Sequence, residues 1–154
     1  MLPQTHFLVA FFFGLLGMKF GYLSLNQALI SGFISILIDF DHLFTYKFLH
    51  GKFSFKKAFN STVIEHEHDN RSLHSFIAFL ILTALFIILG VYFLELALIL
   101  AIAYYIHYIL DHLHIKVKKK FTFREFGFVM KLYYFELVLQ LIFLILAALI
   151  LFLN

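Results

Sequence analysis

Apolar residues run along this chain in long blocks, broken by short polar clusters. Phe7 to Leu25 is one block, interrupted by Lys19 near its far end, where a long side chain can reach water. Asn26 to Ile38 is a second, and its Ser31, Gly32 and Ser35 are small residues suited to close helix packing. Phe76 to Leu110 is a nearly unbroken apolar run of 35 residues. As one helix it would extend about 52 Å, against about 30 Å for the hydrocarbon core of a bilayer. It therefore predicts two helices, with the turn near Gly90 and Glu95. Leu132 to Leu153 is the last block, with Glu136 near its start. With the polar residues at their ends, the blocks predict five spans at about 7–25, 26–42, 74–92, 95–113 and 132–153. The expected fold class is an all-α integral membrane protein, a single helical membrane domain over 1–154.

Composition agrees. Hydrophobic residues make up 63% and charged residues 14% of the 154, with mean hydropathy +0.96. Soluble domains carry about 25% charged residues. The start, MLPQTHFLVAFFFGLLG, lacks the basic n-region and small-residue cleavage site of a signal peptide, so a retained first span is expected. No internal repeat stands out.

Charge sets an orientation. Lys47, Lys52, Lys56, Lys57 and Arg71 fall between the second and third spans. Lys116, Lys118, Lys119, Lys120, Arg124 and Lys131 fall between the fourth and fifth. Both loops lie on one side of a five-span protein, and the other side has Lys19 alone. Basic residues favour the cytoplasmic side. The expected location is an inner cell membrane, with both loops and the N-terminus in the cytoplasm and the C-terminus outside. Membrane lipids are expected partners, because both loops mix Lys with Phe and can lie on an anionic leaflet. A nucleic-acid partner is not expected.

Candidate chemistry gathers on that same side. His6 precedes the first span; Asp39, Asp41 and His42 close the second; His74 opens the third; His107 and Asp111 close the fourth. His107 and Asp111 are four apart and share a helix face, so one metal can reach both. His114 lies near that face, one turn nearer water, and is given no role. Asp39 and His42 share a face if the helix persists; Asp41 then points elsewhere unless the helix unwinds. Ionisable groups are costly in a bilayer and usually functional there. Glu65 to Asp69 (EHEHD) reads as a solvated loop, or as a source of one more ligand or base; His112 reads as structural and Glu95 lies on the far side.

With no cysteine in the chain, any metal must be held by histidine and carboxylate. Zinc is the first expectation, one to three ions, with manganese or iron as the alternatives. Seven candidate groups exceed what a single zinc takes. Two divalent ions among three aspartates keep a net positive charge, which favours an anionic substrate such as a phosphoester. Water activated by the metal would be the nucleophile. Arg71 could hold a phosphate oxygen bidentately.

The residues Thr5-His6, DFDH at 39–42, RSLHS at 71–75 and HYILD at 107–111 resemble, in order and approximate spacing, the LexA-regulated, membrane-bound metal-dependent hydrolases. The resemblance covers Thr5 to Asp111. It departs at Ile38, where that family has proline, at Ser72, where it has glycine, and at Arg71, one residue closer to His-Ser. That family is related to zinc-dependent phospholipases C and zinc single-strand nucleases, all-helical phosphoesterases. The resemblance implies metal roles for His6, Asp39, His74, His107 and Asp111. It implies a lesser role for Asp41 and His42, as alternative ligands or as groups that orient the ligands; with Arg71 they are the expected catalytic residues. The expected function is hydrolysis of an anionic lipid or lipid-linked phosphoester. The alternatives are a non-enzymatic metal-binding or ion/proton transport protein, and an iron enzyme. Transport would place ionisable groups at mid-membrane, and iron would give the purified protein a visible absorption spectrum.

Overall fold

The structure is a computed structural model. It describes residues 2–41, 47–48, 51, 73–120 and 126–152, with side chains outside 115–120 and 126–133. His42, Arg71 and the segment Glu65 to Asp69 lie outside the described residues. The elements are α1 (Pro3–Lys19), α2 (Leu25–Ile38), α3 (Phe76–Tyr92), α4 (Leu94–Lys120) and α5 (Phe126–Phe152). The fold is all-α. α4 and α5 contain stretches long and apolar enough to cross a membrane, Leu94–His114 and Tyr134–Phe152; α2 and α3 are shorter apolar helices.

Local chemistry sets the helix ends. Pro3 opens α1, where its missing N–H costs nothing. α1 closes on Gly21 at φ 79, with Tyr22 N bonded back to Gly17 O at 2.9 Å and Gly21 N to Met18 O at 2.9 Å. That turn needs a left-handed residue, which glycine supplies without strain. Ser24 and Gln27 then form a reciprocal cap: Gln27 N donates to Ser24 Oγ at 3.3 Å and Ser24 N donates to Gln27 Oε1 at 2.6 Å. The expected turn between α3 and α4 falls at Phe93, between Gly90 and Glu95.

Several boundaries differ from the sequence expectation. α2 ends at Ile38, with Asp39 as its C-cap, rather than running to residue 42. α3 begins at Phe76, so His74 lies in the turn ahead of it. α4 continues past 113 to Lys120, and α5 starts at Phe126 rather than near 132. Polar helix termini continue the backbone ladder beyond the apolar block that hydropathy detects.

α1 packs against α2, α4 and α5, and α4 also packs against α2 and α3. Small residues set the α1–α2 approach. A Cβ on Gly14 would come 2.7 Å from Ala28 Cα, and Ser31 Oγ on α2 donates across to Ala10 O on α1 at 3.3 Å. Gly14→Ala is expected to destabilise the protein by about 1–3 kcal/mol, because backbone must move to admit a methyl group. Thermal unfolding in detergent would register this as a lower midpoint. α3 is held to α4 by the Tyr105 hydroxyl on Thr83 Oγ1 at 2.8 Å and by Phe79 and Phe86 against the tyrosines of α4. None of its own side chains is fully buried.

Polar and ionisable side chains share the interior with apolar ones such as Leu15, Ala28, Ala103 and Leu110. Thr5, His6, Ser31, Ser35, Asp41, His107, Asp111, His114 and Glu136 are buried. Ile77, Ile81, Leu85, Ile88 and Val91 of α3 are exposed, as are Leu137, Leu141, Leu144 and Ile145 of α5.

Candidate metal centre

One end of the bundle gathers side chains from four places in the chain. His6 projects from the first turns of α1 and is fully buried. Asp39 caps α2, and Asp41 follows it. His74 sits in the turn before α3. That turn is tied down by the Tyr104 hydroxyl, which donates to Leu73 O at 2.8 Å, and by Ser75, which caps α3 through Ala78 N. His107 and Asp111 come from adjacent turns of α4.

Their polar atoms converge. His6 Nε2 lies 3.3 Å from Asp111 Oδ1, and His74 Nε2 lies 3.2 Å from Asp111 Oδ2. His107 Nε2 lies 3.0 Å from His74 Nε2, 3.4 Å from Asp39 Oδ1 and 3.8 Å from Asp111 Oδ2. His6 Nε2 and Asp39 Oδ2 are 4.0 Å apart. Ligands about 2.0–2.2 Å from a tetrahedral ion stand about 3.3–3.6 Å from one another. Most of the measured separations fall on or near that edge length. His6, His107 and Asp111 alone place one ligand atom each within 4.8 Å of the others, all three buried.

The tautomers favour the same reading. His107 Nδ1 is 2.8 Å from Ser35 O, which only accepts, so Nδ1 carries the proton and Nε2 turns a lone pair inward. His74 Nδ1 is 3.3 Å from Asp41 Oδ2, the carboxylate–histidine arrangement that orients a metal-binding imidazole. His6 stacks on His107 with ring centroids 4.0 Å apart at 21°. Neither His6 ring nitrogen makes a hydrogen bond among the described residues. A buried polar atom left so costs about 1–3 kcal/mol. An ion would satisfy Nε2, the nitrogen that faces Asp111. The donor set, three imidazoles and two carboxylates without sulfur, suits zinc, manganese or iron.

His74 lies outside α3, and its proton affinity bears on loading. Burial alone would lower its pKa, but hydrogen bonds to Asp111 and Asp41 outweigh burial and raise it to about 9. Without metal it is therefore a cation between two carboxylates at neutral pH. Asp39 is the most open of the three aspartates, with 22% of its side chain exposed, so the mouth of the cluster lies on its side.

The structure thus brings together His6, Asp39, Asp41, His74, His107 and Asp111. It distinguishes the two aspartates of DFDH: Asp39 faces the ring nitrogens of His6 and His107, and Asp41 backs His74. His112 is exposed on another face of α4. Sequence reasoning missed the Ser35 carbonyl and Tyr104, because backbone acceptors and tertiary tyrosine contacts leave no spacing signal. It also left His114, Glu136 and Gln140 unused. Glu136 and Gln140 are a polar pair one turn apart inside an apolar run, which was a readable signal. Comparison with protein-family models, with curated proteins and with solved structures finds no match to this chain.

Proposed function

We propose that this chain is a five-span membrane protein with a divalent-metal centre at its cytoplasmic face, and that it hydrolyses a phosphoester in a lipid or lipid-linked substrate. The observation that carries the proposal is the buried group His6, His107 and Asp111, whose ligand atoms lie within 4.8 Å of one another, with His74 and Asp39 against it. The motif resemblance to membrane-bound metal-dependent hydrolases involves these same residues and supplies the reaction class. Exposed Leu, Ile and Phe around an interior that also holds ionisable groups suit a bundle in a bilayer. Ion transport is the weaker reading, because the buried histidines and aspartates gather at one end of the bundle and Glu95 and Lys19 lie at the other.

When bound, a divalent ion would polarise a phosphoryl oxygen and lower the pKa of water to about 7. The chain's own residues do the rest. Ser35 O holds the His107 Nδ1 proton, and Asp41 Oδ2 holds that of His74, so both Nε2 atoms are available to the ion. Asp111 spans the cluster with one oxygen toward His6 and the other toward His74. Asp39 stands at the mouth, where an anionic headgroup would arrive.

Zinc- or manganese-loaded protein in vesicles should release phosphate or a phosphoalcohol from anionic lipid or lipid-phosphate substrates. His107→Ala should lower the rate by at least about a hundredfold, the scale of losing a metal ligand or more. Equal rates in the two proteins would remove the hydrolase reading. Topology has its own test, since the chain has no cysteine. A membrane-impermeant maleimide on intact cells should label Tyr22→Cys and should reach Lys118→Cys only after lysis. The reverse pattern would overturn the orientation.

A further inference from the structure

Glu136 is a buried carboxylate on α5, a helix that contributes no group to the cluster described above. Its Oε2 accepts from Leu2 N at 2.9 Å and from Thr5 Oγ1 at 3.3 Å, and its Oε1 lies 3.2 Å from His114 Nδ1 on α4. Gln140, one turn along α5, donates from Nε2 to Thr5 Oγ1 at 2.8 Å. Thr5 is fully buried and immediately precedes His6. Leu2 is the N-cap of α1 and has no side-chain cap of its own, so Glu136 satisfies an N–H that water would otherwise have to meet. Two α5 side chains therefore grip the first turn of α1 from its backbone and from its threonine.

The grip bears on His6 in particular. His107 and His74 are each aimed by a hydrogen bond at Nδ1, whereas His6 makes none at either nitrogen. The placement of its ring follows from where α1 begins and from stacking on His107. We infer that Glu136 is a positioning residue for the metal centre: through Leu2 and Thr5 it fixes the first turn of α1, and thereby sets His6 Nε2 against Asp111. This rests on the metal-centre reading above. It gives α5 a role in a site whose ligands all come from outside it. It also explains why a carboxylate, a threonine hydroxyl and an imidazole are buried together among otherwise apolar helices.

Zinc affinity, measured by competition with a chromophoric chelator, and the visible spectrum of the cobalt(II)-substituted protein test this. Glu136→Ala should bind zinc about ten- to a hundredfold more weakly, the usual effect of losing a group that orients a ligand. Its cobalt spectrum should shift toward that of His6→Ala. Glu136→Gln keeps an oxygen able to accept from Leu2 and Thr5, and should bind within about threefold of wild type. In the double variant with His6→Ala, Glu136→Ala should cost little more, because its effect passes through His6. Apolar packing of Leu15 and Ala28 with Ala147 and Ile150 holds α5 in place at the far end. Should Glu136→Ala nevertheless fail to fold, Thr5→Val takes its place: it severs the threonine half of the link, leaves the Leu2 bond, and should weaken zinc binding in the same direction by a smaller factor. Wild-type affinity in Glu136→Ala, full additivity with His6→Ala, or failure of glutamine to rescue would each overturn the inference while leaving the metal centre standing. A wild-type protein that binds neither zinc nor cobalt would instead overturn the metal centre, and this inference with it.

Discussion

Asp111→Ala is expected to purify with no more than roughly a tenth of the zinc, manganese or iron of the wild-type protein, which should carry one to three ions per chain. Asp111 is the carboxylate that meets all three histidines of the cluster. Its Oδ1 meets His6, and its Oδ2 meets His74 and His107. Alanine removes the anionic ligand and leaves three imidazoles facing one another, with only Asp39 to balance an ion. Asp41→Asn sets the comparison, because Asp41 contacts the outer nitrogen of His74 and keeps every inward atom in place. It should retain metal at saturating concentration while binding about ten- to a hundredfold more weakly. Elemental analysis of detergent-purified protein, with helix content checked by circular dichroism, measures both. Absence of metal from wild type, even after reconstitution with zinc, manganese or iron, would sink the hydrolase proposal.

Hydropathy and helix length were enough to anticipate the five helices among the described residues, because each coincides with a block rich in Leu, Ile and Phe. The helix ends were harder. Lys116, Lys118, Lys119 and Lys120 are charged yet continue α4, since lysine is a good helix former. The candidate ligands His6, His107 and Asp111 were readable as ionisable groups placed where an apolar helix ends. The separate duties of Asp39 and Asp41 were not. They depend on α2 stopping at Ile38, which swings the two side chains to different neighbours. Glu136 lay in plain view but was passed over, because its partner on α1 is more than a hundred residues away and no local spacing connects them.

Zinc affinity should rise steeply with pH in the neutral range, by about tenfold per unit and so about a hundredfold from pH 6 to pH 8. The cause is His74. Its pKa stands near 9 in the metal-free protein, above the usual 6.5, because Asp111 and Asp41 outweigh the effect of burial. Zinc needs the Nε2 lone pair, so at any pH below about 9 binding must first expel this proton. The metal-free protein should respond in the opposite sense. A histidine whose pKa is raised by folding contributes stability that is fully present below pH 6.5 and is lost as pH rises through 9. Raising the pH from 6 to 9 should therefore lower the unfolding midpoint of metal-free protein and widen the gap between it and the zinc-loaded form. Isothermal titration in buffers of different ionisation enthalpy would count the proton released. In Asp41→Asn, where one of the two carboxylates is neutral, His74 should give up its proton at lower pH, and the slope of affinity against pH should flatten earlier. A pH-independent affinity in wild type would mean that His74 is not a ligand, and the coordination shell would then reduce to His6, His107, Asp111 and Asp39.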